Sequence, residues 1–205
     1  RVDAHKFIPQ VMKAGALATL SERVLDNADF PYIAVESSLQ AVKDIAEFYL
    51  KQLQIPVVGI TGSVGKTTTR EMISTVLASQ KKVFQTIGNQ NSQIGVPLTL
   101  SHLTREDEIA VLEIGMSERG QIEKLTNMIR PNVAVVTMIG VSHIAQLKTQ
   151  ENICLEKMDI VKGLPEDGMV FLNGDDKFLA PYRGKLSHKT FFYGMDKACD
   201  YRAEN

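Results

Sequence analysis

This sequence has few cysteines, little excess of charge of either sign and no long apolar segment. Its two cysteines, Cys154 and Cys199, form no CxxC motif, which favours free thiols in a reducing cytosol. The 23 lysine and arginine residues balance 24 aspartate and glutamate residues, so the composition gives no sign of a nucleic-acid-binding surface. No apolar run approaches the roughly 20 residues that cross a bilayer, and the N-terminus has no signal-peptide core. We therefore expect a cytoplasmic protein that binds neither nucleic acid nor membrane.

The 205 residues, 44% hydrophobic and 23% charged, have ordinary globular proportions. Up to about residue 53 the pattern predicts a small α/β piece. Its elements are a helix over 5–14, strands over 16–20 and 32–35, and a helix from Ser37 or Ser38 to about residue 53. This piece is too small to bury a large core by itself.

After Pro56 short apolar runs alternate with helical segments. The strands are predicted at 57–61, 82–86, 109–114, 133–139, 169–172 and 190–193. The helices between them are predicted at 67–79, 94–103, 119–129 and 149–163. The first, third and fourth strands are almost wholly apolar, as in parallel strands that helices cover on both faces. We therefore predict a doubly wound, mainly parallel α/β domain, with its ligand beyond the carboxyl ends of the strands.

The segment VVGITGSVGKTTTREMI, residues 57–73, joins an apolar strand to a helix through a turn that contains glycine. The usual phosphate-loop spacing, G-x-x-x-x-G-K-[ST], would need a glycine where this chain has Ile60. Strand, turn and helix still fall where a phosphate loop requires them, and the N–H groups at a helix start stabilise phosphate. Lys66 can reach the outer phosphates, and Thr67 offers a hydroxyl to Mg²⁺. The residues predicted to bind nucleotide are Gly62, Ser63, Val64, Gly65, Lys66, Thr67 and Thr68.

Polar side chains also follow the other predicted strands. Glu113 lies at the carboxyl end of an apolar strand, where a carboxylate beside a phosphate loop can hold Mg²⁺. His143 follows the next strand at the same sheet edge. Taken alone, Glu113 and His143 are more often ordinary strand-end residues. Asn89 and Asn91 alone would be typical of a turn, and Lys157 alone would be typical of a solvated helix surface.

Segments spread along the chain resemble the Mur ligases. TGSVGKTTTREMI resembles the shorter phosphate loop of that family, T-G-[ST]-x-G-K-[ST], although Val64 stands where Asn is usual. TIGNQNSQIGVPLTL (86–100) and VLEIGMSERGQI (111–122) resemble two further family segments, the second with Gln121 in place of the usual Glu. Residues 3–16 and 140–176 also resemble parts of these ligases, so the resemblance covers nearly the whole chain.

This resemblance implies roles for residues that carry no signal alone. It implies a metal site formed by Thr67, Glu113, His143 and Lys157, with Lys66, His143 and Lys157 acting in catalysis. The family lysine at position 157 captures CO₂ as a carbamate, which needs a neutral amine and hence a lowered pKa. The resemblance also implies substrate contacts for Asn89 and Asn91. Weaker candidates are Glu156 and Asp159 beside the lysine, and Asn173, Asp175 and Asp176 near the nucleotide.

The function implied is that of an ATP- and Mg²⁺-dependent ligase of peptidoglycan synthesis. Segment 86–100 favours the branch that joins D-alanyl-D-alanine to UDP-N-acetylmuramoyl-tripeptide through an acyl phosphate. One alternative is a Mur ligase that adds a single amino acid. Another is a phosphate-loop ATPase switch with a protein partner, although such loops carry an additional early Lys and Gly-Gly that ITGSVGKT lacks. We expect a monomer.

The resemblance also implies how the domains are organised. Residues 1–53 correspond to the end of a UDP-binding domain and residues 54–205 to an incomplete central ATPase domain, while the C-terminal domain of the family is absent. The chain also begins without methionine. We therefore expect a partial chain that does not catalyse ligation by itself.

Overall fold

The computed structural model describes residues 3–26 and 28–204. The chain divides into two compact units, Arg1–Ile45 and Ala46–Asn205, and the division falls inside helix α2 (Ser38–Leu53). The domain boundary expected from the sequence, between residues 53 and 54, lies at the C-terminal end of this helix and stays a prediction.

The first unit carries short elements. Residues Ala4–Phe7 form a 3₁₀ turn and α1 spans Ile8–Lys13. The single helix predicted over 5–14 is therefore wrong in its first turn, because Pro9 favours the start of an α-helix and not its interior. Strands β1 (Thr19–Ser21) and β2 (Tyr32–Ala34) pair in parallel, within or beside the predicted runs.

The second unit contains a wholly parallel sheet, which confirms the predicted fold class. Its strands are β3 (Val57–Thr61), β4 (Val83–Gln85), β5 (Ile109–Glu113), β6 (Val133–Val136), β7 (Met169–Asn173), β8 (Lys189–Gly194) and β9 (Tyr201–Arg202). Within the described ranges their order is β4-β5-β3-β6-β7-β8-β9. The short edge strand β9 was not predicted, because two residues give no period.

Helices follow most of the strands. They are α3 (Lys66–Leu77), α4 (Gly95–Leu100), α5 (Gln121–Ile129), α6 (Ile144–Leu147) and α7 (Gln150–Met158). The helix predicted over 149–163 changes to a 3₁₀ turn at Asp159–Gly163. The helix predicted over 119–129 begins later, because Gly120 has a φ of 75° and is the residue before the first helical one.

The two faces of the sheet are covered unequally. On one face α4, α5 and α7 bury a large apolar cluster that includes Leu112, Leu125 and Ile153. On the other face α3 covers a smaller cluster, in which Ile73 packs against buried Ile60. Beside α3 this second face carries an apolar groove of about 480 Å³. No helix in the described part of the chain is long and apolar enough to cross a bilayer.

The sheet order fixes where a ligand site forms. The chain leaves β3 for β4 and β5 on one side of it, and then crosses to β6 on its other side. This reversal of direction opens a crevice at the carboxyl end of β3, the usual ligand site of open parallel sheets. The segments after β3, β5 and β6 therefore meet at one edge.

The larger cluster should dominate the stability of the second unit. Leu125, at the centre of α5, is fully buried, whereas Leu155, at the centre of α7, is exposed. We expect Leu125→Ala to lower the free energy of unfolding by about 2–5 kcal/mol, because it leaves a cavity. Leu155→Ala should change it by less than about 1 kcal/mol. Urea unfolding measures both; equal effects would contradict the packing described.

Candidate active site

The predicted phosphate loop lies where the strand order leads us to expect it, between β3 and α3. Gly65 precedes the first helical residue with a φ of 87° and, as a glycine, has no side chain that could cap the N-terminus of α3. The first N–H groups of this helix are therefore available to an anion. Lys66 Nζ donates a hydrogen bond of 2.8 Å to the Gly62 carbonyl, so the side chain folds over the loop.

The segment after β6 fixes the shape of this loop. Ser63 N donates to Met138 O at 2.7 Å, and Thr137 Oγ1 donates to Val64 O at 2.6 Å. Gly62 has a φ of 152°, and a Cβ there would lie 1.9 Å from Thr137 Oγ1. Only glycine fits this position without displacing Thr137, which explains why the turn needs it.

Glu113 ends β5 with its side chain buried, 1% exposed. Its Oε1 lies 2.9 Å from Arg70 Nη1, so the two charges are paired. The same oxygen lacks a hydrogen bond of good geometry within the described part of the chain. The position of Glu113 is as predicted, and its buried oxygen still has capacity for a further positive partner.

His143 and Lys157 come from two different elements. His143 has a φ of 66° and immediately precedes α6. Burial lowers its pKa, and the positive charges of Lys157 and Lys66 lower it further, so the neutral imidazole is favoured. Lys157, on α7, is only 2% exposed and is thus no solvated surface lysine. Burial and the charge of Lys66 lower its pKa to about 7, against a smaller opposite effect of Glu156.

Electrostatic coupling shows which predicted residues lie together. Burial lowers the pKa of Lys66, and the carboxylate of Glu113 acts on it in the opposite direction. Lys66 in turn lowers the pKa of both His143 and Lys157. The charges of these side chains therefore act on one another at the carboxyl edge of the sheet. The side chains come from the segments at the ends of β3, β5 and β6 and from α7.

The two asparagines lie in the loop after β4. Asn91 Nδ2 donates to Asn89 Oδ1 at 2.9 Å, and Gly115 N donates to Asn91 O at 2.7 Å. Gly115 lies two residues after Glu113, so this loop lies beside the end of β5. Asn89 is exposed and Asn91 half-buried.

The weaker candidates have structural partners. Asn173 Nδ2 donates to Thr137 O, and Asp176 accepts hydrogen bonds from Ile139 N and two further backbone N–H groups. Asp175 accepts from Met195 N and Asp196 N, which fixes the turn after β8. These side chains brace the ends of neighbouring strands.

Glu156, the residue before Lys157, also has a structural partner. Its buried carboxylate accepts hydrogen bonds from Gly120 N and Ile122 N at the start of α5. This bridge from α7 to α5 holds the helix that carries Lys157 in place.

Sequence reasoning missed Arg70, whose side chain is 7% exposed. The signal was present, because Arg70 lies three residues after Thr67 and four after Lys66, on the same face of α3. It also missed Thr137, since a threonine inside the predicted strand 133–139 carries no pattern of its own; the strand in fact ends at Val136.

Within residues 3–26 and 28–204 no group of three or more His, Cys, Asp and Glu side chains converges as a metal site. Glu113 and His143 contribute one such ligand group each. The predicted cation site thus depends on a hydroxyl from Thr67 and on modification of Lys157 as well as on these two side chains.

A family model described as the Mur ligase middle domain matches residues 60–205. The chain therefore belongs to the Mur ligase family, as the motifs indicated.

A relative from Bacillus subtilis (strain 168), UDP-N-acetylmuramoyl-tripeptide--D-alanyl-D-alanine ligase, is 40% identical over 207 residues, which cover 100% of this chain and 45% of the relative. The crystal structure of MurF ligase from Thermotoga maritima in complex with ADP has a TM-score of 0.90 at 34% identity and covers 100% of this chain. MurF from Acinetobacter baumannii has a TM-score of 0.90 at 30% identity and covers 98%. This chain spans 47% and 44% of those two structures.

The lowered pKa of Lys157 predicts a specific dependence of stability on pH. Between its folded pKa of about 7 and its ordinary value of 10.5, the unfolded chain binds more protons at this position than the folded chain does. The free energy of unfolding should therefore rise with pH across this window, with a slope from Lys157 that approaches ~1.4 kcal/mol per pH unit. Lys157→Met should remove this part of the slope, whereas Lys81→Met, at an exposed position, should retain it. Urea unfolding at several pH values measures the slope, and identical slopes in wild type and Lys157→Met would contradict the burial of a neutral amine.

Proposed function

We propose that this chain is part of an ATP-dependent ligase that joins D-alanyl-D-alanine to UDP-N-acetylmuramoyl-tripeptide in peptidoglycan synthesis. The observation that carries the proposal is the geometry at the carboxyl edge of the sheet, where Lys66 folds over the loop at the start of α3 and Glu113 lies buried at the end of β5. The match of the whole chain to ligases of this name supports the choice of substrates. The match to a MurF structure with ADP supports a nucleotide at the phosphate loop.

The chain's own residues fit phosphoryl transfer to a carboxylate. The uncapped start of α3 and the Lys66 ammonium would hold the phosphates of ATP and stabilise the charge that develops during transfer. A terminal carboxylate oxygen of the tripeptide attacks the γ-phosphorus, the bond from that phosphorus to ADP breaks, and an acyl phosphate forms. The amine of D-alanyl-D-alanine then attacks the acyl carbon, loses a proton and displaces phosphate. Positioning and charge neutralisation account for most of the rate in such reactions.

The site also fits Mg²⁺. The buried Glu113 oxygen that lacks a hydrogen bond, the neutral His143 ring and the exposed Thr67 hydroxyl are donors of suitable chemistry. Bound there, Mg²⁺ would offset the negative charge of the phosphates. Lys157 would complete the donor set as a carbamate: its neutral Nζ forms a bond to the carbon of CO₂ and releases one proton. A pKa of about 7 makes the neutral amine abundant at neutral pH.

The test is an assay of the full-length protein with ATP, Mg²⁺, UDP-N-acetylmuramoyl-tripeptide and D-alanyl-D-alanine. We expect phosphate release and formation of the UDP-linked pentapeptide, each dependent on both substrates. ATP turnover that requires neither substrate, or that requires a protein partner, would instead support a nucleotide switch and contradict the proposal.

The role of Lys66 gives the first mutational prediction. Lys66→Ala removes the cation that folds over the phosphate loop, so we expect the ligation rate to fall by at least about a hundredfold while the circular dichroism spectrum stays unchanged. Lys81→Ala, which removes an exposed lysine ion-paired with Glu108, is the matched control and should retain activity. Near-normal turnover by folded Lys66→Ala would refute the phosphate role.

The role of Lys157 gives a second prediction. Lys157→Ala should reduce the ligation rate severely, and a short-chain carboxylic acid should restore part of it, because the added carboxylate replaces the carbamate. Bicarbonate should restore nothing, since the variant has no amine to react. Full activity of Lys157→Ala, or rescue by bicarbonate alone, would exclude the carbamate.

A further inference from the structure

Arg70 is a buried cation outside the residues assigned to the phosphates or the metal. It extends from the first turns of α3, and its side chain is 7% exposed. Its Nη2 pairs with the exposed carboxylate of Glu71. A buried guanidinium is expensive to desolvate unless its N–H groups meet acceptors, so its other contacts indicate what it does.

The Nη1 atom of Arg70 meets acceptors from two segments. It lies 2.9 Å from Glu113 Oε1 at the end of β5. It also donates to Thr86 O at 3.0 Å and to Gly88 O at 3.2 Å, both in the segment after β4. One nitrogen thus links the phosphate-loop helix, the carboxylate predicted to bind metal and the loop that carries the asparagines.

The bond to Gly88 has no substitute within the described residues. Thr86 is fixed independently, because its N donates to Val111 O and its Oγ1 accepts from Glu113 N. Asn91 is fixed at the other end through Gly115. Between these anchors, the Arg70–Gly88 bond is the one hydrogen bond in the described part of the chain that ties residues 87–89 to anything outside the loop.

We propose that Arg70 is a positioning residue that fixes the loop 87–91 to the phosphate-loop helix. It thereby holds Asn89 and Asn91, which contact the muramoyl substrate, in a fixed position relative to the nucleotide. This inference rests on the proposed function for the identity of the substrate. The guanidinium suits the task because its rigid plane holds several acceptors at fixed angles, whereas a lysine amine is a shorter, freely rotating point charge.

The first readout does not depend on activity. The Gln90 and Asn91 amides donate within the loop, to Ile87 O and Asn89 O, so their hydrogen exchange reports its order. In the full-length protein we expect Arg70→Met to accelerate exchange at these two amides about tenfold, with amides in β3 unchanged. Arg70→Lys should give an intermediate rate. Glu71→Gln, which removes the negative charge of the exposed partner of Arg70 and leaves the Nη1 contacts in place, should match wild type.

The second readout separates positioning from general destabilisation. We expect Arg70→Met to weaken binding of UDP-N-acetylmuramoyl-tripeptide about tenfold by calorimetry, and to raise its KM more than the KM for ATP. Arg70→Lys should recover part of the affinity.

The inference would be overturned if Arg70→Met left hydrogen exchange at Gln90 and Asn91 unchanged, or accelerated exchange equally over the sheet. If Arg70→Met does not fold, Arg70→Lys must show the acceleration confined to these two amides. A wild-type protein that ligates none of these substrates would refute the proposed function, whereas the exchange result would still decide the role of Arg70 in ordering the loop.

Discussion

The parallel order β5-β3-β6 is the constraint on which the rest of the site depends. Parallel neighbours present their carboxyl ends at one edge, so three loops distant in sequence become adjacent. The phosphate loop, the Glu113 end of β5 and the segment that leads to His143 are these three loops. Hydrogen bonds from Ser63 to Met138 and from Thr137 to Val64 then lock the first loop to the third.

Burial of charge at this edge has two different outcomes. Arg70 is surrounded by acceptors, since Glu113 and two backbone carbonyls lie within 3.2 Å of one of its nitrogens. Lys157 is also buried, and its burial together with the positive charge of Lys66 lowers its pKa to about 7. One buried cation therefore connects three segments, whereas the pKa of the other is lowered towards neutrality.

Much of the fold was predictable because the strands are apolar runs of the right length and the helices carry a clear period. Several errors fall where local geometry overrides the period: at Pro9, at Gly120, and after Met158, where the helix continues as a 3₁₀ turn. The strand predicted over 133–139 also ends early, at Val136, and the short strand β9 was missed. The strand-turn-helix arrangement of the predicted phosphate loop was recognisable from Gly65, Lys66 and Thr67. The burial of Lys157 was not recognisable, since nothing in the segment NICLEKMDIV shows that this lysine lies on the buried face of its helix. Only the family resemblance indicated it. Arg70 was missed because its partners, Glu113 and Gly88, are distant in sequence.

The central claim is that this edge of the sheet promotes phosphoryl transfer from ATP to a carboxylate. The most direct test follows the oxygen atoms: full-length protein, ATP and D-alanyl-D-alanine are incubated with UDP-N-acetylmuramoyl-tripeptide whose terminal carboxylate carries the heavy isotope of oxygen. An acyl phosphate requires that one labelled oxygen leave with phosphate, so mass spectrometry should find the label in the released phosphate and a single labelled oxygen in the new amide. Released phosphate that carries no label, with ligation complete, would contradict the account.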